Sequence, residues 1–140
     1  MAAFNKFNCF VADLADKVHN LSADTLMVCL TNTAPVATTT IYSNLTELAA
    51  GNGYTTGGNS CAITSCVQTA GTLKLVLANP ATWTASGGSV GPFEYAVLYN
   101  NSSASKSLIG WFDYGSPLTL ASGDTFSVQF DATNGVLTIT

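Results

Sequence analysis

The sequence predicts an all-β protein. It reads as a jelly-roll-like antiparallel β-sandwich of about eight strands with an N-terminal α-helix, in one domain over residues 1–140. Three observations lead there. Short apolar runs follow residue 60 at regular spacing, separated by Gly, Asn, Ser and Pro, which is the rhythm of a sandwich or barrel. Charged residues make up 9% of the chain, against about 25% in ordinary globular proteins; Thr, Ser, Asn and Gly supply the polarity instead. Third, the stretch Val90–Pro117, VGPFEYAVLYNNSSASKSLIGWFDYGSP, reads as two long strands joined by a polar loop.

That stretch is apolar on both faces. Strand side chains alternate in direction, so Phe93, Tyr95, Val97 and Tyr99 are expected on one side, with Ala96 and Leu98 on the other. In the second strand Leu108, Gly110, Phe112 and Tyr114 oppose Ile109, Trp111 and Asp113. A hairpin with one wet face would alternate between apolar and polar. One face therefore belongs to a sandwich core, and the other needs a cover: the N-terminal helix, a twin subunit or another protein.

Taken in order, residues 4–21 carry the helical period. Phe7, Phe10, Val11, Leu14, Val18 and Leu21 recur at three- and four-residue steps and form one apolar stripe. The helix is expected to pack on the sandwich, with a docking arm as the alternative. A turn at Asn20–Asp24 leads into a buried strand, 24–32, that opens the sandwich region 24–140. Residues 33–60 form a long irregular segment around Pro35, Tyr42 and the glycine-rich Gly51–Asn59, and such segments are often functional. Strands then follow at 61–69, 72–78, 81–85, 91–100, 107–114, 124–130 and 136–140, with turn residues at Ala70–Gly71, Asn79–Pro80, Ser86–Ser89, Ser122–Gly123 and Asn134–Gly135.

Composition excludes several roles. The net charge is −4, arginine is absent, and Lys6, Lys17, Lys74 and Lys106 are scattered. A nucleic-acid binder needs a basic face to displace counterions from phosphates, so no direct nucleic-acid partner is expected. The same shortage argues against a basic membrane-binding helix, and no apolar run approaches the length of a transmembrane helix. Asp13 and Asp16 interrupt the first apolar run, which reads against a secretory leader. Cys9, Cys29, Cys61 and Cys66 are therefore expected as buried free thiols.

No motif sustains a catalytic or cofactor reading. Gly87–Gly91 spells G-x-S-x-G, but Pro92 and a strand follow where a nucleophile elbow needs a helix. Gly51–Gly58 places Thr56 where a dinucleotide loop requires glycine. One histidine and dispersed cysteines do not make a zinc site, and Asp131–Gly135 reads as a turn. Asp16 and His19, three apart, read as local hydrogen bonding at a helix end. Trp83, Tyr95, Tyr99, Trp111 and Tyr114 suit core or interface packing better than a sugar platform. No enzyme activity, cofactor or metal is expected.

With these segments in place, the runs FVADLADKVHNLSADTLMVCLTNTAP, TELAAGNGYTTGG, WTASGGSVGPFEYAVLYNN and IGWFDYGSPLTLASGDTFSVQFDATNGVLTIT resemble the capsid cement, or decoration, proteins of short-tailed bacteriophages. The resemblance spans residues 7–140. It implies a jelly-roll-like sandwich, made in the host bacterial cytoplasm, that binds the exterior of the virion and ties neighbouring capsomers of the major capsid protein together. It also implies self-association, with a homodimer favoured over a trimer. The contact segments are expected in 4–21 and 33–60 and on the central hairpin, with Phe7, Phe10, Leu14, Tyr42, Tyr54, Phe93, Tyr95, Trp111 and Tyr114 as contact residues. A tail, collar or fibre component, or a carbohydrate-binding module, are the alternatives.

Overall fold

A computed structural model describes residues 2–140. The chain is built from antiparallel strands and one short helix, as the sequence predicts. In order these are β1 (Phe4–Lys6), α1 (Cys9–Ala15), β2 (Leu26–Thr31), β3 (Asn59–Cys61), β4 (Ile63–Thr69), β5 (Thr72–Leu77), β6 (Trp83–Thr84), β7 (Val90–Asn100), β8 (Leu108–Leu120), β9 (Thr125–Phe126) and β10 (Leu137–Ile139). A 3₁₀ turn at Tyr42–Asn44 interrupts the long segment between β2 and β3. The strands form a five-stranded sheet ordered β1-β8-β7-β2-β3, a three-stranded sheet β10-β5-β4 and a two-stranded ribbon β6-β9.

The main core lies between the large sheet and the two small ones. Leu26, Val28, Leu30, Ala96 and Leu98 meet Leu75, Leu77 and Trp83 there, all essentially inaccessible to water. β7 and β8 form the spine of the large sheet, and the β7–β8 register explains why both faces are apolar. Ala96, Val97 and Leu98 pair with Phe112, Trp111 and Gly110, but Tyr99 then pairs with Leu108, so Ile109 is an extra residue. Further along, Phe93 pairs with Leu118 and Tyr95 with Asp113, leaving Tyr114 to Pro117 out of register. Such bulges break the two-residue alternation. Phe93 therefore joins Ala96 and Leu98 on the inter-sheet face, apart from Val97 and Tyr99, and Leu108 lies opposite to Phe112. Strict alternation had placed each of these pairs on one side.

The second face of the hairpin is covered by the chain itself. Phe7, Cys29, Val97, Tyr99 and Leu108 form a separate buried cluster beneath Tyr42 and Leu45, with Trp111 at its margin. Tyr42 stacks on Tyr99 at 4.7 Å between ring centres, and Phe7 meets Trp111 at 4.6 Å. Burying a side chain such as Phe7 is worth about 1.5–3 kcal/mol, so this second core contributes materially to stability.

The N-terminal segment differs from the expected helix over 4–21. Residues 4–6 add a strand to the edge of the large sheet, opposite Phe112, Trp111 and Gly110. Gly110 permits this approach, since a Cβ there would stand 2.2 Å from the Phe4 ring and 2.6 Å from the Asn5 carbonyl. The helix proper is seven residues long. It ends because Lys17 takes a left-handed φ of 62°, while Lys17 N–H donates to Leu14 O and Val18 N–H to Asp13 O. This pairing is the Schellman arrangement that terminates many helices. Phe10 points between the sheets, whereas Val11, expected on the buried stripe, is 57% exposed. A free docking arm is thus not what residues 4–10 form: they are a sheet strand and a core side chain.

Candidate interaction surfaces and buried polar clusters

Residues 33–58 work as a strap over one face and one edge of the large sheet. Tyr42 N–H donates to Lys106 O and Leu108 N–H to Thr40 O, which anchors the strap beside β8. At the far side β3 pairs only with Leu26–Val28, so the outer half of β2 lacks a neighbouring strand. The strap fills that edge: Leu48 N–H donates to Leu30 O at 2.9 Å, and Leu30 N–H to the Tyr54 phenol at 2.9 Å. Backbone polar groups at a buried edge must be paired, and here an irregular segment pairs them.

Glu47 ties the strap together. Its carboxylate accepts from the Tyr42 phenol, from the Tyr54 phenol at 2.7 Å and from Gly57 N–H at 2.7 Å. Tyr99 completes the cluster by donating to Gly57 O at 2.7 Å. Burial pushes the Tyr42 and Tyr54 phenols far above their ordinary range, and the adjacent carboxylate raises them further. Both therefore stay protonated as donors. The cluster is a fastening with every polar group engaged, and charge-assisted hydrogen bonds of this kind are the stronger ones.

A second cluster surrounds Asn100 at the end of β7. Its side-chain carbonyl accepts from Ser102 and Ser103 N–H, which fixes the amide orientation. Its NH₂ group then donates to Asp24 at 2.6 Å and to His19 Nδ1 at 3.0 Å. His19 Nδ1 must accept, so the neutral ring carries its proton on Nε2, which faces Asp13 Oδ2 at 3.8 Å without a hydrogen bond. The expected Asp16–His19 pairing is replaced by Asn100 and Asp13.

Burial holds the His19 pKa below its ordinary 6.5, although Asp13 and Asp24 pull the other way. An unfolded chain then takes up the proton first as pH falls, and stability is lost below pH 6.5. Urea midpoints are expected to drop between pH 7.5 and 5.5 in the wild type, and by clearly less in His19→Gln. Equal drops in both proteins would refute the assignment.

The nine expected contact residues divide by depth. Phe7, Phe10, Tyr54 and Phe93 are buried inside the domain and present no surface, which corrects their assignment as contacts. Leu14, Tyr42, Tyr95, Trp111 and Tyr114 are half-buried. Tyr114 leans on Phe126 at 5.2 Å, and burial pushes its phenol up to about 12. Trp83 and Tyr99 are buried as well, so two of the five rings of the imagined sugar platform are out of a glycan's reach.

Among the described residues, the large apolar side chains that do face water are Val11, Val36, Val67 and Leu118. Val11 lines a groove of about 260 Å³ between α1 and β10, with Lys6, Leu14, Leu137 and Ile139. The sequence offered no signal for Val36 or Val67, because a valine in a loop or edge strand looks like any other. Asp131 accepts from Thr133 and Asn134 N–H at 2.8 Å, the turn the sequence predicts, and these bonds hold its carboxyl below the ordinary range. Ser89 lies in a turn followed by β7, again as read. The four cysteines are free thiols; Cys29 and Cys61 are buried, whereas Cys9 and Cys66 are only partly so. No group of three or more potential metal-binding side chains occurs among the described residues. No protein-family model, curated protein or solved structure matches the chain.

Proposed function

We propose that this chain is a structural virion protein, a cement protein that binds the outside of a phage capsid and bridges neighbouring capsomers of the major capsid protein. It acts without catalysis or cofactor, and it resides on the virion exterior after synthesis in the host cytoplasm. The resemblance over residues 7–140 motivates this reading. The observation that carries it further is the exposure of Val11 and Val36, at 57% and 60%, on the two segments expected to make contacts. Both segments are held rigidly, Val11 on a helix anchored by Phe10 and Val36 on the strap secured to Asn8 through Ala37 O at 2.9 Å.

A small rigid body that touches two capsomers stabilises only the assembled shell, by mass action. Each contact can be weak, because the second becomes intramolecular once the first has formed. Scarce charge suits such contacts, since charged residues are depleted where interfaces are most buried.

Imaging of the assembled particle tests the location. Many copies distributed over the shell are expected, and a ring confined to one vertex would instead assign the chain to the tail or collar. Val11→Asp and Val36→Asp test the contacts. Each is expected to weaken capsid binding at least ~10-fold with an unchanged melting temperature, since neither side chain is part of a core. Wild-type binding by both variants would remove these valines from the interface. Deletion of residues 1–10 is the wrong test, because it removes β1 and Phe7 and damages the fold.

A further inference from the structure

Sheet edges are where a β-protein is open to association, because an edge strand carries unpaired N–H and C=O groups. The sheet edges of this chain are unequal. β1, β3 and β10 have three residues each, β6 and β9 two, and β1 ends in Lys6. β4 is different: seven residues, Ile63–Thr69, with no charge, proline or glycine, and β5 on one side only. Its one protecting device is a bulge at Thr64, near its start, which leaves Ser65–Thr69 as a regular, uncharged edge.

The β4–β5 turn settles which backbone groups are open. Ala70 and Gly71 both have positive φ, 52° and 85°, and join the paired residues Thr69 and Thr72. A two-residue turn of this type closes on a hydrogen-bonded pair. Ser65, Val67 and Thr69 therefore direct their backbone groups to β5, and Cys66 and Gln68 direct theirs outward, while Thr64 is the extra residue of the bulge and falls outside this alternation. The side chains alternate with them. Cys66 packs against the inter-sheet core, while Val67 is 60% exposed.

Charge marks the same region. From Leu48 to Phe93 the sequence contains no carboxylate, and Lys74 is the only charge. Lys74 Nζ is engaged with Thr133 O at 2.9 Å, on the side of β5 away from β4. In a chain of net charge −4, this is the edge at which two copies can meet without bringing carboxylates together.

We propose that β4 pairs antiparallel with β4 of a second copy, about a two-fold axis at Val67, to form one continuous six-stranded sheet. This register matches the regularly outward residues at once, Cys66 of each copy with Gln68 of the other. An axis at Cys66 instead sets Gln68 of each copy against the bulge at Thr64 of the other. With the axis at Val67, Val67 of each copy lies opposite Val67 of the other, which covers the exposed valine. Such an interface is isologous, one patch meeting itself. The proposal stands independently of the virion reading.

Sedimentation of the full chain tests it, with Val67→Lys and Gln68→Pro as variants. Val67 is outside the core, and the Gln68 N–H is not used by β5, so both variants are expected to keep a cooperative melt. The wild type is expected to sediment at twice the chain mass, with each variant at least ~10-fold weaker in self-association. A wild type that stays monomeric to about 100 μM would overturn the proposal, as would a dimer unaffected by either variant. A monomeric wild type whose capsid binding is lost in Val67→Lys would also overturn it, and would give the edge to a strand of the shell. Dimerisation without any capsid binding would leave this pairing intact and sink the virion reading alone.

Discussion

Gly58→Ala is expected to cost about 4 kcal/mol or more and to lower the melting temperature by over ~10 °C. Gly58 sits where the strap returns to the sheet, immediately before β3. Its φ is +76°, and a Cβ there would stand 1.8 Å from Val28 O and 2.7 Å from Cys29 Cα. Neither atom belongs to a flexible side chain, so β2 or the strap must move as a unit. Gly71→Ala is the control. Gly71 also has positive φ, +85°, but nothing lies within 4 Å of the added carbon, so only backbone strain of about 1–3 kcal/mol is incurred. Thermal and urea melts of the two variants compare steric exclusion with strain. If Gly58→Ala melts like Gly71→Ala, close approach to β2 is not what selects glycine at residue 58.

Glu47→Ala is expected to destabilise the protein by ~3 kcal/mol. Removal of the carboxylate leaves the Tyr42 and Tyr54 phenols and Gly57 N–H without their acceptor. The Tyr54 side chain is buried, so water cannot replace the acceptor without opening the strap. Glu47→Gln keeps one acceptor oxygen and is expected to lose about half as much. The unfolding midpoint in urea reads the global effect, and proteolysis within 33–58 reads the local one. A Glu47→Ala protein within ~0.5 kcal/mol of wild type would mean that packing alone, chiefly Tyr42 on Tyr99, holds the strap.

The strands were legible because their signals are local. Each run from 61–69 to 136–140 alternates or is uniformly apolar and stops at residues that favour turns; β4, β5, β6, β9 and β10 lie within those runs, β7 begins one residue before its run, and β8 continues six residues past residue 114 to Leu120. The hairpin at 90–117 was legible as apolar on both faces, but not in its pairing. Bulges at Ile109 and Tyr114–Pro117 depend on how two distant strands fit, and no residue type announces them. The helix was overextended for a related reason. Its stripe continues to Leu21, but Lys17 adopts a left-handed conformation that glycine or asparagine would have signalled and lysine does not. Phe4–Lys6 forms a strand only because Gly110, far away in sequence, leaves room for it.

The polar clusters were the least legible part. Glu47 is one carboxylate in an irregular segment, and its three donors come from residues 42, 54 and 57. Asn100 looks like a loop residue, yet it joins residues 19, 24, 102 and 103. Such convergence is a property of the folded chain. The sequence did suggest why a long segment should matter, but placed its importance in outside contacts. Much of it instead completes the sheet, with Tyr54 and Tyr42 turned inward.

The four thiols lie at different depths, and this gives the molecule internal clocks. Cys29 lies under the strap, in the cluster with Tyr99, and Cys61 lies between the sheets. Burial raises the pKa of both, with Cys61 pushed up to about 12, so neither reacts while covered. Lifting of the strap uncovers Cys29, whereas detachment of the edge strand β3 from β2 is needed to uncover Cys61. The rates at which a thiol reagent modifies the two residues therefore measure two openings separately, that of the strap and that of the β3 edge, without any label added to the chain.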